Sequence, residues 1–304
     1  MKSIVGRIVS TMVLLLASSF AVFAAIRLSG GDVTAARMPA SASAEDRELF
    51  RRQIGLDQPI LRQYATYMGD FVTGDLGNSL TNNAKISTLA GVKIRNSLIL
   101  GGTSLFIVFA VGVPLGMIAA KKRNTWIDTG VTSFSVAGMA IPNFWLALLL
   151  IYLFSSTLRW LPSGGQGGFK SLILPALVLS AEGIALTVRM TRSAMLENIG
   201  QDFVRTLRAS GLSERRIYFK HVLRNSLLPI ISLAGLRVGQ VVGYALVVET
   251  IFGWPGVGQI LVNGVLRRDY PIIQFFSLLL VIAVTLGNLL ASIGYTLANP
   301  RLRK

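Results

Sequence analysis

Long apolar runs with few charges alternate with shorter polar segments along the whole 304-residue chain. About 20 apolar residues are enough for an α-helix to cross a bilayer. Six runs approach or exceed that length: 8–26, 97–120, 129–158, 171–190, 226–248 and 271–297. The pattern therefore predicts an all-α membrane protein with six transmembrane helices.

The first run has a second interpretation as the core of a secretory signal peptide, because small residues at 21–25 offer a cleavage site. A signal core usually has about 7 to 15 residues, and the run 8–26 is longer than that. We therefore predict that residues 1–28 form a cytoplasmic N-terminus and an uncleaved first transmembrane helix.

The one long polar segment, residues 29–96, is predicted to lie outside the cytoplasm, between the first two transmembrane helices. Ser43, three residues before Asp46, is typical of a helix N-terminus, and Gly55 favours the end of that helix. After Pro59, apolar residues recur at helical spacing and predict a surface helix packed on the membrane domain: Ile60, Tyr64, Met68 and Phe71.

Residues 97–304 are predicted to form a five-helix core that contains a polar loop at 192–226. Within this loop, the sequence favours two short helices with a break at Gly211, a residue suited to the left-handed conformation that ends a helix. Ser213 can cap the second helix, with Glu214 in its first turn. The prediction is a helix-turn-helix protrusion between the fourth and fifth spans.

The charge of this protrusion predicts its side of the membrane. Only Asp202 and Glu214 are acidic, and the basic residues are Arg205, Arg208, Arg215, Arg216, Lys220 and Arg224. An excess of basic residues marks cytoplasmic loops. Such a loop could simply bind lipid headgroups, but apolar residues lie among the charges and favour docking onto protein: Ile217, Tyr218, Phe219, Val222 and Leu223. An even number of spans places both termini on the same side of the membrane. Because the N-terminus is predicted to be cytoplasmic, the C-terminus is too, in agreement with its basic residues Arg301, Arg303 and Lys304.

The motifs of the protrusion resemble a known family. Ala-Ser-Gly-Leu-Ser-Glu-Arg-Arg at 209–216, Lys-His-Val-Leu-Arg-Asn at 220–225 and Leu-Pro at 228–229 are similar to the cytoplasmic coupling loop of binding-protein-dependent ABC importer permeases, in the dipeptide, oligopeptide and nickel branch. Gly211 matches the invariant glycine of that loop. Arg-Thr-Leu at 205–207 replaces the Glu-Ala-Ala of the general signature, and His-Val-Leu-Arg at 221–224 replaces its Ile-x-Leu-Pro.

Other stretches of the chain resemble the same branch. The strongest is Glu-Thr-Ile-Phe-Gly-Trp-Pro-Gly-Val-Gly at 249–258, followed by Arg-Asp-Tyr-Pro at 268–271. Shorter matches stand at 54–59, 74–79, 141–145 and 160–162, so the resemblance covers nearly the whole chain.

The resemblance implies a permease subunit in the bacterial inner membrane. A second permease would complete the pathway, two ATPase subunits would bind ATP and Mg, and an extracytoplasmic solute-binding protein would deliver small peptides. Nickel or a metal chelate is the alternative cargo of the same branch. The residues assigned by this resemblance to the ATPase-coupling loop are Arg205, Arg208, Ala209, Gly211, Leu212, Ser213, Arg216 and His221.

Composition narrows the function further. The chain is 52% hydrophobic and 14% charged, against about 25% charged in soluble domains. Its net charge of +16 follows the predicted topology and forms no continuous basic face for nucleic acid. With no cysteine and one histidine, the sequence offers no catalytic site and no zinc motif. The glycine-rich stretch 164–171 lacks the Gly-Lys-Ser/Thr ending of a phosphate-binding loop and is expected to be a flexible turn.

Two charges interrupt the predicted spans. Glu182 and Arg237 each lie about 16 to 18 Å from the outer end of their spans, near the middle of a hydrocarbon core about 30 Å thick. They could pair with each other, or line the pathway and bind the two termini of a peptide. An ion-coupled secondary carrier would also need intramembrane acids, and Glu182 is the only acid well inside a predicted span.

Glycines recur every fourth residue in the fifth span, at Gly235, Gly239 and Gly243. A helix face without side chains lets a partner backbone approach closely. Both internal packing and contact with a second permease subunit are consistent with this spacing.

Overall fold

The computed structural model describes residues 4–28, 41–53 and 55–298. Its helices are α1 (Ile4–Leu28), α2 (Ala44–Gln53), α3 (Ile60–Thr73), α4 (Ile86–Lys121), α5 (Trp126–Ala140), α6 (Asn143–Thr157), α7 (Phe169–Ile199), α8 (Asp202–Ala209), α9 (Glu214–Ile251), α10 (Val257–Arg267) and α11 (Tyr270–Ala298). The expected all-α fold is confirmed over these residues. The basic residues at 301, 303 and 304 lie outside them.

Among the described residues, five helices are long and apolar enough to cross a membrane: α1, α4, α7, α9 and α11. A sixth span exists if the bent pair α5 and α6 counts as one, so the number of spans stays a prediction. The bend between α5 and α6 is 104°. Its cause is Pro142, because a proline disfavours the helical conformation in the residue before it, and Ile141 is extended with ψ at 120°.

The helices extend beyond the apolar runs. The second run was expected to begin at 97, but α4 begins at Ile86, and α7 continues to Ile199 rather than ending near 190. Hydrophobicity marks the part of a helix that crosses the hydrocarbon and not the turns beyond it. Pro114, unlike Pro142, is accommodated inside its helix.

The chain divides into two compact units, the first with residues 1–97 and 255–285 and the second with residues 98–254 and 286–304. In the first unit, Tyr64 of α3 packs edge-on against Phe20 and Phe23 of α1, at centroid distances of 5.2 and 5.5 Å. Phe71 of α3 lies 6.1 Å from Phe275 of α11. The surface helix expected after Pro59 is therefore present and packs on spanning helices. The sequence predicted three regions that differ in their position relative to the membrane, with boundaries at 28 and 96. The two compact units do not test that division, which stays a prediction.

In the second unit, α7 is the central helix and packs against α5, α6 and α9. Fully buried Leu174 and Val178 of α7 lie in one core with Val248 of α9 and Phe252. The glycine-rich loop after α6 is tied to this core, because the Gly165 amide donates to the Phe252 carbonyl at 2.8 Å. A β-carbon on Gly164 would overlap that carbonyl. The loop that was expected to be a flexible turn is therefore anchored.

Candidate functional site

The protrusion between α7 and α9 begins with α8 and turns at Gly211. The Gly211 amide donates to Arg208 O at 3.0 Å, and the Leu212 amide donates to Leu207 O at 3.2 Å. Gly211 has φ of +75°, so it adopts the left-handed conformation that this helix ending requires. The break expected from the sequence is therefore present, and Ser210 and Gly211 form its tip.

The second helix of the protrusion differs from the prediction of a short, separate helix. α9 begins at Glu214 and continues without a break into the fifth apolar run, through a π-helical segment, Ile217–Val222. No glycine or proline lies between Glu214 and Ser226 to stop it. Ser213 precedes the helix, but its side chain makes no capping hydrogen bond. The protrusion is thus connected rigidly to a spanning helix.

An ion pair closes the protrusion. Arg208 of α8 donates from Nε to Glu214 Oε1 at 2.7 Å and from Nη2 to Glu214 Oε2 at 3.3 Å. The hydrogen bond to Glu214 raises the pKa of Arg208. Arg205 makes a longer contact of 3.5 Å with Asp202. Because the Arg208–Glu214 pair joins the residues on either side of the turn, it holds α8 against the start of α9.

The residues assigned to coupling lie mostly on one accessible part of the protrusion. Leu212 and His221 are half-buried, and the exposed members are Arg205, Arg208, Ala209, Gly211, Ser213 and Arg216. The exposed set combines positive charge with small residues at the turn. Such a surface suits a complementary protein surface that carries carboxylates.

The apolar residues of the protrusion are largely covered by the chain itself. Ile217 and Val222 are 0% exposed and pack with Val204 against Met117 of α4 and Met195 of α7. The chain itself therefore buries these two, and docking of the loop onto another protein stays a prediction. Phe219 remains 56% exposed.

Glu182 of α7 and Arg237 of α9 are brought together, with Arg237 Nη2 3.4 Å from Glu182 Oε1. The Arg237 side chain is 3% exposed and that of Glu182 is 28% exposed. Arg237 Nε has no hydrogen-bond partner in the described part of the chain. The geometry therefore leaves Arg237 dependent on Glu182 for its counter-charge.

The glycines at every fourth residue of α9, which we call its glycine face, differ in burial. Gly239 is buried against α11, where a β-carbon on Gly287 would lie 3.2 Å from the Gly239 Cα atom. Gly235 is half-buried, whereas Gly243 is exposed, and a β-carbon on Gly243 would meet no atom of the described residues within 4 Å. Internal packing accounts for Gly239 and not for Gly243.

Two charged contacts were missed by the reasoning from sequence. Arg192 of α7 pairs with Asp128 of α5 through two hydrogen bonds of 2.6 and 2.8 Å. The sequence did contain a sign of this contact, because Asp128 is an acid at the edge of an apolar run and such an acid needs a partner. Its partner, 64 residues away, was not identifiable.

The second missed contact is Asp269, which is 1% exposed and lies just before α11. Its carboxylate accepts hydrogen bonds from the Ser79 hydroxyl, the Leu80 amide, and both the amide and hydroxyl of Thr81. Burial alone would raise the pKa of Asp269, but these hydrogen bonds outweigh it and hold the pKa below its usual value. We call this contact the Asp269 clasp.

Family models match most of the chain. A model described as "Binding-protein-dependent transport system inner membrane component" matches residues 112–304. A second, described as "Binding-prot-dependent transport system membrane comp, N-term", matches residues 1–87.

Relatives named as peptide or glutathione permeases align over nearly their full length. The oligopeptide transport system permease protein AppB of Bacillus subtilis is 37% identical, with 98% of each chain covered. The di/tripeptide transport system permease protein DppB of Pseudomonas aeruginosa is 39% identical, with 92% of each covered. The glutathione transport system permease protein GsiC of Escherichia coli K12 is 36% identical, covering 99% of this chain and 98% of its own.

The fold also resembles a solved structure, an inward-facing conformation of the MetNI methionine ABC transporter. The TM-score is 0.59 at 21% identity, with 70% of this chain and 98% of that chain covered. This similarity concerns the fold alone.

Proposed function

Because this chain belongs to the family of binding-protein-dependent transport system inner membrane components, we propose that it carries small peptides across the membrane. It is a multi-pass inner-membrane protein and a permease subunit of an ABC importer, and not itself an enzyme. The observation that carries the peptide assignment is the near-complete alignment with permeases named for oligopeptides, di- and tripeptides and glutathione. Peptides are thereby favoured over nickel.

The test is reconstitution into liposomes with the second permease, the ATPases and the binding protein. We expect ATP-dependent uptake of a labelled di- or tripeptide, reduced by excess unlabelled peptide and unaffected by Ni²⁺. Uptake of radioactive nickel that is insensitive to peptide would overturn the assignment in favour of the metal.

The exposed face of the protrusion binds an ATPase subunit in this proposal. Its support is the exposed basic set around Gly211 and the Arg208–Glu214 pair that keeps α8 fixed on α9. Since α9 continues into a span, displacement of the protrusion moves that span as a rigid body. The excess of basic residues supports a cytoplasmic position for the protrusion and for both termini.

ATP and Mg belong to the ATPase partners, and the permease family as a whole works with such partners, with a second permease and with a binding protein. In the proposed topology, residues 29–96 face the binding protein, and the permease binds no cofactor. The purified chain alone is expected to hydrolyse no ATP. Hydrolysis above background by this chain, free of ATPase subunits, would contradict the assignment.

A further inference from the structure

A cavity of about 260 Å³ opens beside the protrusion, in the second unit. One wall is the face of α4 formed by Pro114, Met117 and Ile118, which are spaced to lie on one side of a helix. Phe219 of the π-helical segment also lines it. Ile118 is 46% exposed and Phe219 56% exposed. Apolar side chains with this exposure, at the end of a spanning helix, suit a hydrocarbon chain better than water.

The cavity is basic where α4 ends. Lys121 and Lys122, both exposed, are among its lining residues, and none of the described residues that line it is acidic. The hydrogen bond with Arg208 lowers the pKa of Glu214, and the charge of Lys121 also lowers it. The Glu214 carboxylate is already held by Arg208 at 2.7 Å. The two ammonium groups are therefore available to an anion from outside the chain.

We propose that this cavity binds one anionic phospholipid. The acyl chain lies along the α4 face and against Phe219, and the phosphate contacts Lys121 and Lys122. The apolar wall of the cavity thus matches the acyl chain, and its basic end matches the phosphate. Free phosphate would leave the apolar wall of the cavity uncovered. A zwitterionic lipid carries a positive group in its own headgroup, which the two lysines would repel.

The site has a consequence for coupling. The lipid would contact α4 and the π-helical segment together, and that segment begins three residues after Glu214 of the closing ion pair. Anionic lipid at this site therefore stabilises one position of the protrusion relative to α4.

The test uses the assembled transporter, with its second permease and ATPases, and native mass spectrometry after exchange into phosphatidylglycerol or phosphatidylcholine. The variant is Lys121→Gln with Lys122→Gln. The matched control, Arg159→Gln with Lys170→Gln, removes two exposed positive charges, one from the loop before α7 and one from the first turn of α7. We expect the lysine variant to bind phosphatidylglycerol roughly thirtyfold more weakly, since each basic residue near a lipid surface contributes about a fivefold factor.

Three outcomes would overturn the proposal. In the first, the lysine variant and the control retain phosphatidylglycerol equally. In the second, the wild-type transporter retains phosphatidylcholine as strongly as phosphatidylglycerol. In the third, the wild-type chain binds the lipid only without the ATPases, which would make a protein the occupant of the cavity.

A second variant tests the site in case the double lysine variant fails to fold. An Ile118→Trp substitution leaves both lysines in place but fills the apolar wall. We expect it to weaken phosphatidylglycerol binding while soluble inorganic phosphate fails to compete in the wild-type transporter. Effective competition by millimolar phosphate would mean that the lysines bind any anion and that the wall is irrelevant.

Discussion

Arg192 of α7 and Asp128 of α5 form a two-pronged ion pair, with Arg192 Nε 2.6 Å from Asp128 Oδ1 and Nη2 2.8 Å from Oδ2. The Asp128 side chain is 6% exposed and that of Arg192 is 27% exposed. Parallel hydrogen bonds between a guanidinium and a carboxylate are strong and fix the orientation of both groups. This contact therefore sets how α5 lies against the central helix.

We expect Asp128→Asn to destabilise the chain by about 2 kcal/mol, because it leaves Arg192 without its counter-charge in a mostly buried place. The measurement is the fraction of monodisperse protein after heating in detergent. Asp202→Asn is the control, because its pair with Arg205 is 95% and 79% exposed and contributes little. Equal stability of the two variants would contradict a structural role for the Asp128 pair.

The Glu182–Arg237 contact predicts an asymmetric mutant cycle. Glu182→Gln should impair assembly more than Arg237→Gln, because Arg237 is 3% exposed and a stranded arginine there cannot be hydrated. Glu182, at 28%, is less completely enclosed by the chain. The double substitution should be less harmful than Glu182→Gln alone. The yield of assembled transporter measures this, and additive losses would show that the two charges act separately.

Gly211→Val should uncouple ATP hydrolysis from transport. A β-carbon there meets nothing within 4 Å, so the effect comes from the backbone, since valine at φ of +75° costs about 1 to 2 kcal/mol. Gly200→Val is the control in the same loop, with an ordinary φ of −78°. We expect ATPase activity without peptide uptake for Gly211→Val and normal uptake for Gly200→Val. Normal uptake by both would remove Gly211 from the mechanism.

The divided glycine face predicts different effects along α9. Gly239→Val should destabilise the chain itself, because Gly239 is buried and its Cα atom packs so close to α11 that a β-carbon on Gly287 would lie 3.2 Å from it. Gly243→Val should leave the isolated chain as stable as the wild type, because space is open there. If Gly243 contacts the second permease, this variant will weaken co-purification of the two permeases. Loss of stability in the isolated Gly243 variant would exclude such a contact role.

Hydrogen exchange can test the Asp269 clasp. Asp269→Asn should speed exchange of the Leu80 and Thr81 amides by roughly thirtyfold, corresponding to about 2 kcal/mol for weakened hydrogen bonds to a charged group. Asp57→Asn, at an exposed residue, is the control. Because the folded pKa of Asp269 is lowered, the clasp contributes fully above the unfolded pKa of about 3.9 and is lost as pH falls through the folded value. Protection that already declines between pH 7 and 5 would contradict this assignment.

Local signals in the sequence determined the class of fold and several of the breaks between helices. Apolar runs predicted the all-α membrane fold, Pro142 is the residue at which α5 and α6 separate, and Gly211 predicted the turn of the protrusion. Ser43 and Asp46 likewise predicted the start of α2, where the Ser43 Oγ accepts from the Asp46 amide at 3.1 Å. Each of these depends on the conformational preferences of a few adjacent residues, which the sequence contains in full.

Tertiary structure alone decided which side chains meet. Spacing placed Glu182 and Arg237 at similar depths, but their contact depends on how α7 and α9 are rotated about their axes. Gly239 and Gly243 share one face of α9, so the point along α9 at which α11 packs decides that Gly239 is covered and Gly243 is open. The Asp269 clasp joins residues about 190 positions apart, beyond the reach of any local pattern. Helix rotation and long-range pairing result from packing summed over many residues, so no single motif could have predicted them.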